Sequence, residues 1–189
     1  HIPADMRIEP LLERYHHHLK KRKSKGKYKV IRFITRQQGL MIAPKNPKSI
    51  QGITDLTKSD LKFINRQKDS GTRALLDKLL DDQNIATSSI NGYQEEEFTH
   101  TAVAAYVAAG MADVGLGVKA AAKQFNLDFI DIASEHYLMI CHEHSLNKTA
   151  LINFLEQIRS PDFRNKVAEL PGYSAKHCGV IESLDDNFL

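Results

Sequence analysis

No apolar run in these 189 residues approaches the length of a membrane span, so the stretch is not a helical membrane protein. No signal peptide stands in it, and a cleaved signal would leave no trace, so the compartment stays open. Cysteine is scarce. Cys141 and Cys178 lack the spacing of a metal site and fit either reduced thiols or one disulfide. Charge of one sign is also scarce: the net charge is +3 and the pI about 8.8, so nucleic acid is not implied by charge alone. A paired nucleophile and base is missing as well, because no Ser or Cys elbow accompanies His100. What is present is ordinary for a globular protein. Hydrophobic residues at 42% can build a core, and charged residues at 26% can cover it. The length allows one domain or two small ones.

The chain is organised around residues 61–80. Leu61-Lys62-Phe63-Ile64 reads as a strand, Asn65 to Arg73 as a polar turn, and Leu75, Leu76, Leu79 and Leu80 as the apolar face of a helix. Asp69 or Ser70 can cap that helix. Gly71 permits close approach of another group. The unpaired N–H groups of the first turn and the helix dipole favour an anion. Arg66, Lys68 and Arg73 add positive charge, and Ser70 and Thr72 add hydroxyl donors. The plainer reading is a capped helix with a solvated basic turn.

Around that stretch, strands and helices alternate. Before it, a short helix over residues 8–19 leads into His16-His17-His18 and a basic run at residues 20–27, which read as a solvated connection. Lys29 to Ile34 and Gly39 to Ala43 read as two strands, interrupted by Arg36-Gln37-Gln38. After the central helix, Thr99 caps a second one whose residues 102–109 are small and apolar all round. Ala112 to Gly117 is a buried strand, and Val118 to Phe125 a third helix. Asp128 to Ile132 and Glu135 to Cys141 are further strands, and residues 147–170 are helical with a break at Pro161. The alternation argues a parallel α/β sheet with helices on both faces. Ligands in such sheets sit beyond the carboxyl ends of the strands, where the turns at Ser70–Arg73, Thr99–Thr101 and Gly115–Gly117 lie.

Ordered motifs point further. Arg36-Gln37-Gln38-Gly39-Leu40, Pro44-Lys45-Asn46-Pro47, Asn65-Arg66-Gln67 with Ser70-Gly71-Thr72-Arg73, Gly92-Tyr93, Thr99-His100-Thr101, Ala112 to Gly117, Leu127-Asp128-Phe129 and Gly172-Tyr173 resemble the substrate-binding domain of the periplasmic-binding-protein superfamily. The type is the one often fused to helix-turn-helix regulators or to molybdopterin-biosynthesis domains. The Arg to Ser-Gly-Thr turn is similar to that of tungstate-binding proteins of the superfamily. The resemblance implies a type II architecture: two α/β lobes joined by two crossing strands, with ligand in the cleft and closure by hinge motion. It implies a first lobe over residues 1–60, incomplete at its N-terminus and completed by residues 133–189, and a second lobe over 61–132. It implies binding of a small anion, molybdate or tungstate favoured, by Arg66, Ser70, Gly71, Thr72, Arg73, Thr99, His100, Thr101 and Gly117. A fused or upstream DNA-binding domain is a partner it allows, and the cytoplasm is the favoured location with the periplasm as the alternative.

No cofactor is implied, and catalytic residues are not assigned. His136, Cys141, His142 and His144 with Glu143 lack the remainder of a metal ligand set and read as an exposed strand end. Glu95-Glu96-Glu97 read as a solvated segment or a lid rather than as acid–base carboxylates. The expected function is non-enzymatic capture of an oxyanion. The alternatives are effector sensing of another small molecule in a transcription regulator, or an enzyme on the same fold. The oligomeric state is not legible.

Overall fold

The structure, a computed structural model, describes residues 2–3 and 27–184. The helix expected over residues 8–19, the histidine triplet, and the basic run apart from Lys27 lie outside the described residues. The chain forms two compact units, one of residues 1–35 and 135–189, the other of residues 36–134. Strands β2 (Tyr28–Ile42) and β6 (Asp128–His142) each run from one unit into the other.

In the first unit, β1 (Ile2–Pro3) pairs antiparallel with β6, and β8 (Ile181–Ser183) pairs antiparallel with β2, setting Ile31 opposite Ile181. The short β7 (Tyr173–Ser174) also pairs with β2. The expected helical stretch 147–170 is two helices, α4 (Thr149–Arg159) and α5 (Pro161–Ala168). The break is local chemistry. Ser160 Oγ accepts from the Phe163 amide at 3.1 Å, and Pro161 takes the first helical position, where no N–H is needed. Leu155 and Ile158 of α4 pack with Ile31, Val167 and Cys178. Both cysteines are free.

In the second unit the strand order is β6-β2-β5-β3-β4, with β3 (Phe63–Arg66), β4 (Glu96–Glu97) and β5 (Val114–Val118). The sheet is mixed, not parallel throughout. Strand β3 runs parallel to β4 and β5, but β2 runs antiparallel to β5. The side-chain alternation of a strand builds two cores. Leu40, Ile42 and Phe63 face one layer with Leu76 and Leu80 of α1 (Gly71–Asp82). Met41 and Ile64 face the other, with Val103, Ala104 and Val107 of α2 (His100–Ala108) and Ala121 and Ala122 of α3 (Lys119–Gln124).

Two expectations change. The interruption at Arg36-Gln37-Gln38 is absent: β2 is one 15-residue strand, with Gln38 paired to Val118. Likewise β6 is continuous through Ser134, whose Oγ accepts from Gln37 Nε2 at 2.9 Å. Polar side chains here are absorbed by partners rather than ending the strand. The other change concerns residues 36–60, expected in the first lobe. They belong to the second unit, because Ile42, Ile50, Ile53 and Leu56 join the core of Leu61, Phe63 and Leu76. Asn46 holds that connection by donating to the Ile50 carbonyl at 2.7 Å and accepting from its amide at 2.8 Å. Among the described residues no helix is long and apolar enough to cross a membrane.

Candidate functional site

The second unit gathers a set of anion-seeking groups at the carboxyl end of β3. The strand ends on Arg66, and the turn that follows is closed by the Ser70 amide donating to the Gln67 carbonyl at 3.1 Å. Asp69 takes a φ of 74°, a region that aspartate tolerates better than most residues. Ser70 then caps α1, its Oγ accepting from the Arg73 amide at 3.1 Å. That cap leaves the amides of Gly71 and Thr72 in the first turn without an intrahelical acceptor. The positive end of the helix dipole lies at the same place.

Thr72 is 2% exposed, and its hydroxyl donates to Gln38 Oε1 at 2.9 Å. Gln38 is fully buried, and its Nε2 has no hydrogen-bond partner among the described residues. A buried amide donor left unmade costs about 1–3 kcal/mol.

Arg66 is 8% exposed. Its Nε donates to Gln67 Oε1 at 3.0 Å and its Nη2 to the Phe98 carbonyl at 3.0 Å. Among the described residues no carboxylate pairs with it. Burial pushes its pKa below the ordinary arginine range, and the charge of Arg36 pushes in the same direction. The guanidinium stays ionised at neutral pH, so the shift reports a buried cation beside another cation.

The bond to Phe98 draws in the second helix start. Thr99 follows at once and caps α2, its Oγ1 accepting from the Ala102 amide at 2.9 Å. His100 opens α2, with its Nδ1 3.4 Å from where a Cβ on Gly117 would stand. Gly117 is paired with Gly39, the neighbour of Gln38, across β2 and β5. A side chain on Gly117 would also meet Met41 Cε at 2.5 Å, so the glycine keeps this corner narrow. Thr101 is exposed in the first turn of α2.

Arg73 stands apart from the other expected donors. Its Nε donates to Asp77 Oδ1 at 3.1 Å and to the Tyr93 hydroxyl at 3.3 Å. Its Nη1 donates to Glu96 Oε1 at 3.0 Å and to the Arg66 carbonyl at 3.4 Å. Its guanidinium carbon lies 4.1 Å from the centre of the Tyr93 ring. Burial lowers its pKa, but the bonds to Tyr93 and Asp77 outweigh that and hold it above the ordinary value. Two carboxylates of the acidic triplet are used in the same way. Glu96 meets Arg73, and Glu95 meets Lys62 Nζ at 3.1 Å.

Gln38 and Arg36 stand in a motif that carries the family resemblance but were not among the expected ligand-binding residues. Their signal was there: two long polar side chains set between apolar stretches of one strand. At the other end of β6, the His142 and His144 rings are 4.1 Å apart. Among the described residues no group of three His, Cys, Asp or Glu side chains could hold a metal ion.

A model of the PBP superfamily domain matches residues 7–159. The uncharacterized protein YvgK of Bacillus subtilis is 34% identical over 152 residues, 80% of this chain and 49% of that protein. The chain therefore spans about half the length of that relative. Two solved structures share the fold. One, from Clostridium difficile, is assigned as the substrate-binding domain of a molybdenum ABC transporter, with 18% identity, TM-score 0.53, and 86% of this chain and 73% of that one covered. The other is the regulatory domain of a LysR family regulator from Neisseria meningitidis, with 17% identity, TM-score 0.53, and 80% and 71% covered.

Proposed function

Because the chain belongs to the PBP superfamily, with its mixed α/β, type II periplasmic-binding-protein-like fold, we propose that it is a non-enzymatic binding domain for a small oxyanion, held by the second unit. Molybdate and tungstate are the favoured ligands. The observation that carries this reading is the buried, unpartnered Nε2 of Gln38 beside the first turn of α1. Donors stand at the same end of β3: the amides of Gly71 and Thr72 in the first turn of α1, and Arg66, which among the described residues pairs with no carboxylate. Ser70 and Thr99 shape the two helix starts, and His100 and Gly117 line the corner. Charge-assisted hydrogen bonds of this kind are about twice as strong as neutral ones. A relative of the fold assigned to molybdenum transport supports the choice of ligand.

The same donors would serve an effector-sensing domain of a regulator, a second reading supported by the likeness to a LysR family regulatory domain. That reading places the chain in the cytoplasm and allows a DNA-binding domain elsewhere in the full-length protein. The two differ in ligand and in what is attached, not in the site.

Thermal unfolding with molybdate, tungstate, sulfate and phosphate tests the anion reading. A ligand at one hundred times its Kd stabilises the folded state by about 2.7 kcal/mol. The expected result is a rise in Tm for one oxyanion, abolished in the Arg66→Ala, Thr72→Ala double variant. No rise with any anion, or an equal rise in the variant, contradicts it.

A further inference from the structure

The two helix starts around Arg66 are joined through a short backbone pairing, in which the Asn65 amide donates to the Glu95 carbonyl at 2.9 Å and the Gln67 amide to the Glu97 carbonyl at 3.1 Å. Strand β4 is two residues long, and its pairing with β3 sets Asn65 opposite Glu96 and Arg66 opposite Glu97. The next two residues are Phe98, whose carbonyl Arg66 holds, and Thr99, the cap of α2. A pairing this short needs side chains to fix it. One residue supplies them from α1. Arg73 reaches Glu96 Oε1 at 3.0 Å, and the other oxygen of that carboxylate accepts from the Lys68 amide at 3.3 Å. The β3–α1 turn, β4 and the third residue of α1 are thereby joined through one carboxylate and one guanidinium.

The charge count decides what Arg73 is for. It carries one positive charge and touches two carboxylates, Asp77 and Glu96. The cluster as a whole is not cationic, so it brings no net attraction for an anion. Both Nε and Nη1 are already bonded, and one face of the guanidinium lies on Tyr93. Tyr93 in turn donates to Asp77, which fixes the far side of the fork.

We propose that Arg73 is a positioning residue: clamped by Glu96, Asp77 and Tyr93, it sets the starts of α1 and α2 at the spacing an anion needs and does not touch the anion itself. The inference rests on the oxyanion reading above and assigns a task within that site. It separates the two arginines of the turn. Arg66 is the ligand's cation, and Arg73 is the brace behind it.

Glu96→Gln tests this through the sign of its effect. The substitution keeps the size of the side chain and removes a negative charge near the site. If Arg73 acted on the anion by charge, unmasking it would tighten binding. If it positions, breaking the clamp weakens binding. Arg73→Lys keeps the charge and loses the fork and the stacking, so it separates the two roles again. Tyr93→Phe changes no charge and removes only the hydroxyl that links Arg73 to Asp77. Calorimetric titration with molybdate, tungstate, sulfate and phosphate, with each variant's unfolding followed by circular dichroism, gives the readout. The expected result is that Glu96→Gln and Arg73→Lys each weaken binding of whichever oxyanion the wild type takes about tenfold, the scale on which supporting residues tune a site. Unchanged or tighter binding by folded Glu96→Gln overturns the inference while leaving the oxyanion reading intact. Absence of binding by the wild type overturns both. If Arg73→Lys does not fold, the signs for Glu96→Gln and Tyr93→Phe decide the matter.

Discussion

Replacing Gln38 by leucine separates binding from folding in a way few substitutions can. In the free protein the side chain makes one hydrogen bond, from Thr72 Oγ1 at 2.9 Å, and leaves Nε2 unmade in a fully buried position. Leucine has a similar volume and fits a site with no exposed surface. Removal of the made bond costs about 1 kcal/mol, and the Thr72 hydroxyl loses its acceptor. Removal of the unmade donor returns about 1–3 kcal/mol of desolvation. The two nearly cancel, so the variant should unfold within about 1 kcal/mol of the wild type, or about 2–4 °C in Tm for a protein of this size. Binding is a different matter. A hydrogen bond to a charged partner contributes about 1.5–3 kcal/mol, so oxyanion affinity should fall roughly ten- to hundredfold. Urea unfolding without ligand and calorimetric titration with molybdate measure the two effects separately. Loss of more than about 3 kcal/mol of stability with affinity unchanged would show that the amide serves the fold.

Other substitutions test the packing and the charge balance. Gly117→Ala meets the flexible end of Met41 at 2.5 Å and should cost about 1–3 kcal/mol, whereas Gly39→Ala meets the Ile130 backbone oxygen at 2.1 Å and should cost more, as paired urea denaturation would show. Ser70→Ala removes the α1 cap and should cost about 1 kcal/mol; a screen that found turnover abolished by it would instead revive an enzymatic role. The His136 pKa is lowered, chiefly by burial and then by the charges of Arg32 and His177. The unfolded chain therefore binds more protons than the folded one as pH falls below the ordinary value of 6.5, so stability is full above that value and declines below it. His136→Gln should flatten that decline in unfolding curves taken across the acid range.

Much of the second unit was legible because its signals are local. Ser70 and Thr99 announce their helices through short side chains that reach the amides three residues on. In the first unit, Pro161 announces the break between α4 and α5 for the same kind of reason. What was not legible depends on partners far along the chain. Arg36-Gln37-Gln38 looks like an interruption until Val118, Ser134 and Thr72 are in place to receive it. Residues 36–60 carry apolar side chains that suit either unit, and only the three-dimensional core decides. Arg73 shows the limit most clearly. Its neighbours in sequence suggest a ligand cation and give no sign of the bonds that its Nε and Nη1 make to Asp77, Tyr93 and Glu96. The parallel order expected from alternating strands and helices fails at β2, which pairs antiparallel with β5.

The most direct measurement is an NMR titration of the labelled protein with molybdate, following the side-chain amide of Gln38 and the backbone amides of Gly71 and Thr72. The account predicts saturable shifts concentrated on those three groups, with the Gln38 amide proton moving downfield as its missing acceptor arrives. Saturable shifts elsewhere, with these three unmoved, would contradict it.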